Sequence, residues 1–392
     1  MDEDEIPHQY DDGNRAFLQA FLARGTMTLK EAQPILAAIF TAQDKLENGA
    51  DAESTAAKDV TREDFESYVS AASAAASPFD MEIRSITHQV TRERVYALVN
   101  TTSDPVTQLA TLLSAEEIAF VRRVIDAMFD KYNTPRMEML CLDGMQANKL
   151  RSVPRNNSGN NNNSQDENEN GNDETQQQQT QTVGGLKGLK SSEVEHVMQS
   201  MVDSGWFERS RAGFYSLSAR ALMELRSWLT DAYNDNDNDG EDSKVASWQR
   251  VKFCEACREV VTHGQRCAER DCLVRLHDGC VDAFWRSARG NRNGNGNGNG
   301  GGSGGGRACP RCAKEWTGRH FVGERAVTET EAYQRGRRRS GRGRGRNSIV
   351  EQIVEEAEAE AEEEEEEEEN EGGNGEENEA ENEDEDEDED AE

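Results

Sequence analysis

Apolar residues near the start of the chain recur at helical spacing. Residues 14–24 place four of them on one face, and Gly25 follows as a helix terminator. Thr28 and Glu31 then have the spacing of a capping box, in which the side chain of each residue accepts a hydrogen bond from the backbone N–H of the other. The pattern therefore predicts two consecutive helices.

A strand period replaces the helical period further along the chain. Residues 79–100 alternate apolar and polar side chains around a polar turn at 91–93, which predicts a hairpin. Helix, helix and hairpin in this order outline a winged helix, and we predict that it covers residues 14–110. Residues 1–13 are expected to be a disordered N-terminus.

The same outline recurs in the next stretch. Ser114 and Ser192 each open a capping-box pattern ahead of an apolar helical face, and a short hairpin is expected at 206–217. An Asn/Gln-rich tract, 154–182, is too polar to bury a core. We therefore predict a second winged helix over 111–233, with this tract as a disordered insert.

Cysteines dominate the region beyond a predicted linker at 234–247. Seven of the eight cysteines lie in it, and together with one histidine they form four close pairs. Structural zinc takes four thiolate or imidazole ligands, and a two-residue gap lets both members of a pair reach one ion. Eight ligands suit two closed sites with no open position for a reacting water. The eight are Cys254, Cys257, Cys267, Cys272, His277, Cys280, Cys309 and Cys312.

Four pairs can be combined in more than one way. Sequential filling would give the first two pairs to one ion and the last two to the other. Interleaved filling is the cross-brace of RING and PHD modules, which this spacing resembles, and it is the arrangement that we predict. A third arrangement is a single site that includes His263. The predicted sites are Cys254, Cys257, His277 and Cys280 for the first zinc ion, and Cys267, Cys272, Cys309 and Cys312 for the second.

Neighbouring residues favour a RING over a PHD module. PHD modules place an aromatic residue two positions before the seventh ligand, where this chain has Arg307. RING modules have proline directly after the seventh ligand, as Pro310 is here. They also carry a short helix with an aromatic residue after the sixth ligand, a position that Phe284 and Trp285 fill.

The predicted variant RING, 248–320 with a flexible Gly/Asn loop at 290–306, would act by positioning a ubiquitin-conjugating enzyme. Two departures weaken that expectation. Ala256 replaces a bulky aliphatic residue between the first two ligands, and Ala313 replaces the basic residue that clamps ubiquitin after the last one. The predicted face for the conjugating enzyme consists of Ala256, Phe284, Trp285 and Pro310.

Net charge separates the tail from the rest of the chain. The 392 residues carry a net charge of −34, but residues 351–392 hold 27 acidic residues and no Lys or Arg. We predict that 321–392 is disordered, with an Arg-rich run before the acidic one. The acidic run would keep the chain soluble, fold back on the Arg-rich run or bind a basic partner. No apolar run reaches the length of a membrane span, and the N-terminus lacks the pattern of a signal peptide, so a soluble intracellular protein is expected.

Nucleic-acid binding is a weaker expectation. Residues 254–312 are formally +3, but two zinc ions and seven thiolates would bring them close to neutral. The helix that Ser192 opens offers mostly acidic side chains where a sequence-reading helix needs Arg, Lys, Asn or Gln. Arg209 and Arg211 on the second hairpin are the candidates for a weak DNA contact.

Several stretches together resemble the non-SMC element 1 family, the RING-bearing subunit of the fifth/sixth SMC complex. They are residues 15–19, 81–84 and 95–100, the second winged helix, and the zinc module that ends at 309–316. The resemblance implies an α+β multidomain fold of two tandem winged helices followed by a cross-brace two-zinc variant RING, with long disordered insertions and tail. The family's eight zinc ligands map onto the eight named above.

The resemblance also implies partners and a function. It implies tight pairing with a MAGE-type winged-helix subunit that also holds a kleisin subunit. It implies a chromosome-associated role in the nucleus, in DNA repair and recombination, and E3 ubiquitin ligase activity that depends on the partner. Two alternatives remain open at this point. One is a non-enzymatic, zinc-stabilised scaffold subunit of the same complex, and the other is a histone-reading PHD module.

Overall fold

The computed structural model describes the chain in stretches separated by gaps. The described residues are 10–51, 53–101, 113–152, 187–234, 248–290, 307–339, 350–357 and 359. The predicted disordered N-terminus, Asn/Gln insert, linker and Gly/Asn loop lie largely outside these residues, and so does most of the acidic tail.

The described residues of the first unit form three α-helices and a three-stranded antiparallel sheet. Its elements are α1 (Asp12–Arg24), β1 (Thr26–Thr28), α2 (Leu29–Asn48), α3 (Arg62–Ala76), β2 (Met81–Thr87) and β3 (Arg94–Asn100). β3 lies between β1 and β2. The first two helices and the hairpin lie where the sequence predicts them, whereas β1 and α3 add to that outline.

Local sequence signals explain where these helices begin and end. Thr28 and Glu31 form the predicted capping box, with the Thr28 backbone N–H donating to Glu31 at 2.8 Å. Thr61 and Asp64 form a second capping box that starts α3. Gly25 follows α1 with a φ of 73°, a left-handed conformation that glycine adopts without strain.

α3 supplies part of the core of the first unit. The ring centres of Phe17 on α1 and Phe65 on α3 are 6.1 Å apart, and those of Phe65 and Tyr96 on β3 are 4.8 Å apart. Both pairs meet edge to face, the favourable geometry for aromatic rings, and all three side chains are buried. This Ala-rich helix, which the apolar pattern did not predict, therefore packs over the sheet and completes the core.

The second unit repeats the order of the first. Its elements are α4 (Ala115–Asp126), β4 (Leu142–Asp143), α5 (Gly144–Lys149), α6 (Ser191–Asp203), β5 (Phe207–Arg209), β6 (Phe214–Leu217), α7 (Ala219–Glu224) and α8 (Arg226–Asn234). In both units helix, strand, helix, helix, strand and strand follow one another, and the last strand is central in the sheet. Among the described helices of the whole chain, none is long and apolar enough to cross a membrane.

A third small sheet carries the cysteine-rich region. Its elements are β7 (Gly264–Arg266), β8 (Arg275–Leu276), α9 (Val281–Gly290) and β9 (Phe321–Val322), with β7 in the centre of the sheet. Gly264 is required because a Cβ there would lie 2.3 Å from the Leu276 carbonyl oxygen. Strand β9 pairs with β7 and extends the zinc module beyond residue 320, its predicted end.

The prediction of disorder from residue 321 is wrong for the residues that the structure describes. Beyond β9 the chain forms α10 (Glu324–Thr328) and α11 (Glu331–Arg339), and residues 350–357 are helical. Val350, Ile353 and Val354 are buried and lie on one face of that last helix. The charged composition around them hid this three-residue apolar pattern, which is enough to anchor a helix to an existing core.

Candidate metal centre

The eight predicted ligands come together in two groups of four. Within each group the ligand atoms all lie within 4.8 Å of one another. These are the interleaved sets of the sequence analysis, whereas the sequential sets and a site with His263 are not brought together. The groups are Cys254, Cys257, His277 and Cys280, and Cys267, Cys272, Cys309 and Cys312.

The hairpin β7–β8 separates the two groups. Cys267 and Cys272 lie in the loop between the strands, so they belong to its closed end. His277 follows β8 at the open end, and Cys280 precedes α9. The pair Cys267 and Cys272 therefore lies at one end of the hairpin, and the pair His277 and Cys280 lies at the other. Because successive pairs lie at opposite ends, the two sites are interleaved along the chain.

The distances within each group fit zinc. Cys267 and Cys312 have their sulfurs 3.4 Å apart, and the sulfurs of Cys272 and Cys309 are 3.5 Å apart. A tetrahedral zinc with Zn–S bonds of about 2.3 Å needs sulfurs about 3.8 Å apart, so a small expansion would admit the ion. The chemistry of the donors and their separation are therefore consistent with two zinc ions.

Hydrogen bonds around the first group orient its ligand atoms for a metal. His277 Nε2 lies 3.1 Å from the Val260 carbonyl oxygen, so Nε2–H donates to it and Nδ1 is left to face Cys257 at 3.3 Å. The Cys257 thiol hydrogen-bonds to the Cys254 sulfur, and this bond lowers the pKa of Cys254 and raises the pKa of Cys257, so that a thiolate is favoured at Cys254. Thiolate and neutral imidazole are the forms that bind zinc.

Two tight turns hold the Cys-x-x-Cys pairs. The backbone N–H groups of Glu259 and Lys314 donate to the sulfurs of Cys257 and Cys312, two residues earlier. In both turns the residue directly after the second cysteine has a left-handed φ, 63° for Arg258 and 59° for Ala313. Both positions would suit glycine, so these turns store backbone strain.

A buried cluster of charges, here called the Glu138 cluster, fixes the zinc module to the second unit. Glu138 precedes β4, and its carboxylate accepts from Arg275 Nε at 2.7 Å and from Lys252 Nζ at 3.1 Å. Arg266 lies 3.4 Å away. Burial alone would raise the pKa of Glu138, but these three cations, Arg275 above all, lower it to about 2. Arg275 is fully buried, so the carboxylate is its compensating charge.

The turn between β2 and β3, here called the first wing (88–93), docks on the zinc module. Gln89 Nε2 donates to the Val260 carbonyl at 2.9 Å, and its Oε1 accepts from the N–H groups of Thr262 at 3.0 Å and His263 at 2.8 Å. Val260 is the same carbonyl that orients His277. Neither the Glu138 cluster nor this contact was anticipated from the sequence.

The four residues of the predicted face for a conjugating enzyme differ in how far they are exposed to solvent. Ala256 and Pro310 are exposed, each within a Cys-x-x-Cys turn. Phe284 is half-buried and packs edge to face against Trp285 at 5.1 Å between ring centres. Trp285 is only 7% exposed and contacts Trp316, so it supports the helix from below rather than offering surface.

Comparison with known sequences identifies the family. A family profile described as "Nse1 non-SMC component of SMC5-6 complex" matches residues 14–225, which is 212 of the 392 residues. The chain belongs to this Nse1 family. A second profile, described as a RING-like domain, matches residues 254–293.

Individual relatives agree with the Nse1 assignment. Non-structural maintenance of chromosomes element 1 homolog of Bos taurus is 28% identical over 102 residues, 26% of this chain and 32% of that protein. The Schizosaccharomyces pombe protein is 24% identical over 204 residues, 52% of this chain and 64% of its own length. The matches to the first relatives therefore span about a third of their length.

A solved structure shares the fold. A chain from a structure of the "Nse1-Nse3-Nse4 complex" superposes with a TM-score of 0.51 and 18% identity, covering 78% of this chain and 97% of that one. The chain therefore has a mixed α/β fold like that chain's, with a RING-like module.

Proposed function

We propose that this Nse1-family chain is the RING-type E3 ubiquitin ligase subunit of an SMC5-6 complex, acting in the nucleus in DNA repair, recombination and chromosome maintenance. The observation that carries the proposal is the pair of four-ligand groups inside a chain of this family. Four protein ligands leave no open position on a metal ion, so bound zinc would supply rigidity and no hydrolytic chemistry. The module would then work by positioning a conjugating enzyme.

The architecture that goes with this proposal is two winged helices and a cross-brace variant RING. Its support is the repeated order of helices and strands in the first two units and the interleaved ligand sets of the third. We keep the predicted boundaries of 14–110 and 111–233 for the winged helices. The zinc module is proposed to continue to residue 328, because β9 and α10 belong to it.

The docking face for the conjugating enzyme is proposed to lie between the two exposed turns and α9. Ala256, Pro310 and the half-buried Phe284 would contact the enzyme, and Trp285 would hold α9 in place. Ala256 offers only a methyl group, and Ala313 carries no charge to clamp ubiquitin. Both features predict weak activity without a partner subunit.

The partners proposed are a MAGE-type winged-helix subunit and a kleisin subunit. They rest on membership of the family and on the structural neighbour, a chain from a complex of Nse1 with Nse3 and Nse4. Purification of the tagged full-length chain from nuclear extract would test this. Stoichiometric recovery of both subunits is expected, and their absence would contradict the proposal.

The test of the enzymatic claim is ubiquitin transfer by the full-length chain bound to its MAGE-type partner. With ubiquitin, its activating enzyme and a panel of conjugating enzymes, zinc-dependent chains should form above the partner-free level. Ala313→Arg, which restores a basic residue after the last ligand, should raise this rate without changing complex formation. No zinc-dependent transfer in either protein would remove the claim.

A non-enzymatic scaffold is the second candidate, and the way the module is attached favours it. The Glu138 cluster buries Arg275 between the module and the second unit, so the module also works as a structural part. Cys267→Ser distinguishes the two functions. For a scaffold, loss of complex assembly should account for the whole defect, whereas a ligase variant that still assembles should lose transfer alone.

Of the two hairpins, only that of the second unit is proposed to make a weak DNA contact. The first wing is occupied by its contacts with the zinc module. Arg209 and Arg211 on the second hairpin are exposed, although the Arg209 guanidinium also lies over the Tyr215 ring at 5.3 Å. Arg211→Ala should weaken binding of duplex DNA modestly and lower its salt dependence. Unchanged binding would count against this contact.

A further inference from the structure

A basic cleft lies at the junction of the second unit and the zinc module. Its volume is about 450 Å³. The charged and titratable groups of its wall, apart from one acidic residue, Glu329, are all basic or imidazole side chains. They are Arg136, Arg266, Arg270, Arg319, His320 and Arg325.

At least one positive charge of the cleft wall, that of Arg319, is not paired with an acidic side chain of the described residues. Arg325 pairs with Asp278 at 2.9 Å and with Glu329 at 3.7 Å, and Arg266 pairs with the buried Glu138. Arg319 has no acidic partner among the described residues and is exposed. A concave surface on which one charge sign predominates concentrates its electric field, so this cleft should attract an anion.

The helix at 350–357 brings the chain to this cleft. Val350, Ile353 and Val354 bury one face of the helix, and Glu351 forms an ion pair with Lys149 of the second unit. Ala357, on the same helix, forms part of the cleft wall. The chain therefore reaches the cleft a few residues before the glutamate-rich sequence.

The sequence that follows has the complementary charge. Residues 362–369 are eight consecutive glutamates, and they begin five residues after Ala357. Five residues span at most about 18 Å, so the run starts within reach of the cleft. A short tether also gives it an effective concentration of roughly millimolar, far above that of a free competitor.

We propose that the cleft is a polyanion-binding surface and that, in the free protein, the chain's own glutamate run 362–369 occupies it. Carboxylates would pair with the guanidinium groups of the wall, Arg319 foremost, in charge-assisted hydrogen bonds. The run would then shield the junction from other polyanions, and an outside polyanion would have to displace it.

Zero-length cross-linking of the full-length chain tests this contact. Arg319→Lys keeps the charge and introduces an amine that a carbodiimide can join to a nearby carboxylate. Arg211→Lys, on the exposed second hairpin, is the matched control. Cross-links from position 319 to 362–369 are expected, with few from position 211. Equal yields from both positions, or equal yields to 362–369 and to the distal acids 383–390, would overturn the proposal.

A binding measurement separates the tail from other occupants. In one full-length variant all eight glutamates of 362–369 become glutamine, and in the control the eight acids of 383–390 become amides, so both lose the same charge. The first should bind a labelled 20-nucleotide DNA strand about tenfold tighter at low salt, and the second much less. Arg319→Glu added to the first should abolish the gain. Equal affinities in the two variants would mean that the run does not fill the cleft.

Discussion

The first unit and the rest of the described chain differ in how their cores are built. The first unit has a separate core, centred on Phe17, Phe65 and Tyr96. In contrast, one continuous apolar cluster runs from Phe120 in the second unit through the zinc module to Val354 in the last helix. The zinc module therefore shares a folding unit with the second unit and is not an independently folded domain.

The contact between the two regions lies apart from both main cores and combines apolar with polar interactions. A minor apolar patch joins Ala97 and Val99 of β3 to Met223 of α7. Beyond it, the first wing supplies the Gln89 contacts and a 2.8 Å pair between His88 and Glu208. The first unit should therefore detach at modest cost, whereas the second unit and the zinc module should lose stability together.

Removal of zinc should have the largest effect and should divide the molecule along this boundary. Structural zinc contributes on the order of 10 kcal/mol to folding, far more than any single side chain. After chelation, hydrogen exchange should become rapid in 248–290 and accelerate in 113–152 and 191–234, while 14–100 stays protected. Added zinc should restore the original pattern. If 113–152 kept full protection, the shared core would not couple the two parts.

Glu138→Gln should have the next largest effect, through the same shared core. The variant leaves the fully buried Arg275 without a compensating charge, which costs about 3–5 kcal/mol. Thermal unfolding should show a large drop in the transition of the second unit and the zinc module, and none in that of the first unit.

Glu82→Gln is the matched control for this prediction. Glu82 pairs with Arg84, but both side chains are about two-fifths exposed, so the change should stay within about 0.5 kcal/mol. Equal effects of the two substitutions would show that the Glu138 cluster does not hold the module in place.

The sequence predicted the metal ligands well because their signal is local. The spacing of Cys254 and Cys257 alone indicates a metal site. Four such ligand pairs can be combined into two sites in only a few ways. The contacts that orient the zinc module have no comparable short-range pattern in the sequence. Glu138 meets Arg275 across 137 residues, and Gln89 meets His263 across 174. A lone glutamate or glutamine gives no local sign of a partner at that distance.

Composition misled the prediction of the C-terminal region for a similar physical reason. Arg-rich and Glu-rich stretches cannot build a core, but Val350, Ile353 and Val354 do not need to. They add one face to a core that already exists, so three apolar residues at helical spacing are sufficient. The same holds for α3, whose alanines bury little by themselves but accompany Phe65.

Gln89→Ala should loosen the boundary itself without damaging either core. It removes one donor and one acceptor and leaves the N–H groups of Thr262 and His263 unpaired, at a cost of about 1–3 kcal/mol. Exchange at 260–263 should rise, and protection within the first unit should persist. Gln33→Ala, which removes a bond to the Val60 carbonyl inside the first unit, should do the reverse. Identical exchange patterns in the two variants would contradict a separable first unit.

Ala313→Gly should have the smallest effect and the opposite sign. Ala313 adopts a φ of 59° in the turn after the last ligand, and glycine would relieve a strain of about 1 kcal/mol that an L-residue carries there. The transition of the zinc module and the second unit should move up slightly, and that of the first unit should not move. Ala308→Gly is the control, because Ala308 lies in an antiparallel bridge with Glu315 and has no left-handed φ. Glycine there should lower stability by about 0.5–1 kcal/mol through lost backbone restriction alone. If glycine raised stability at both positions, the gain at position 313 could not be attributed to relief of backbone strain.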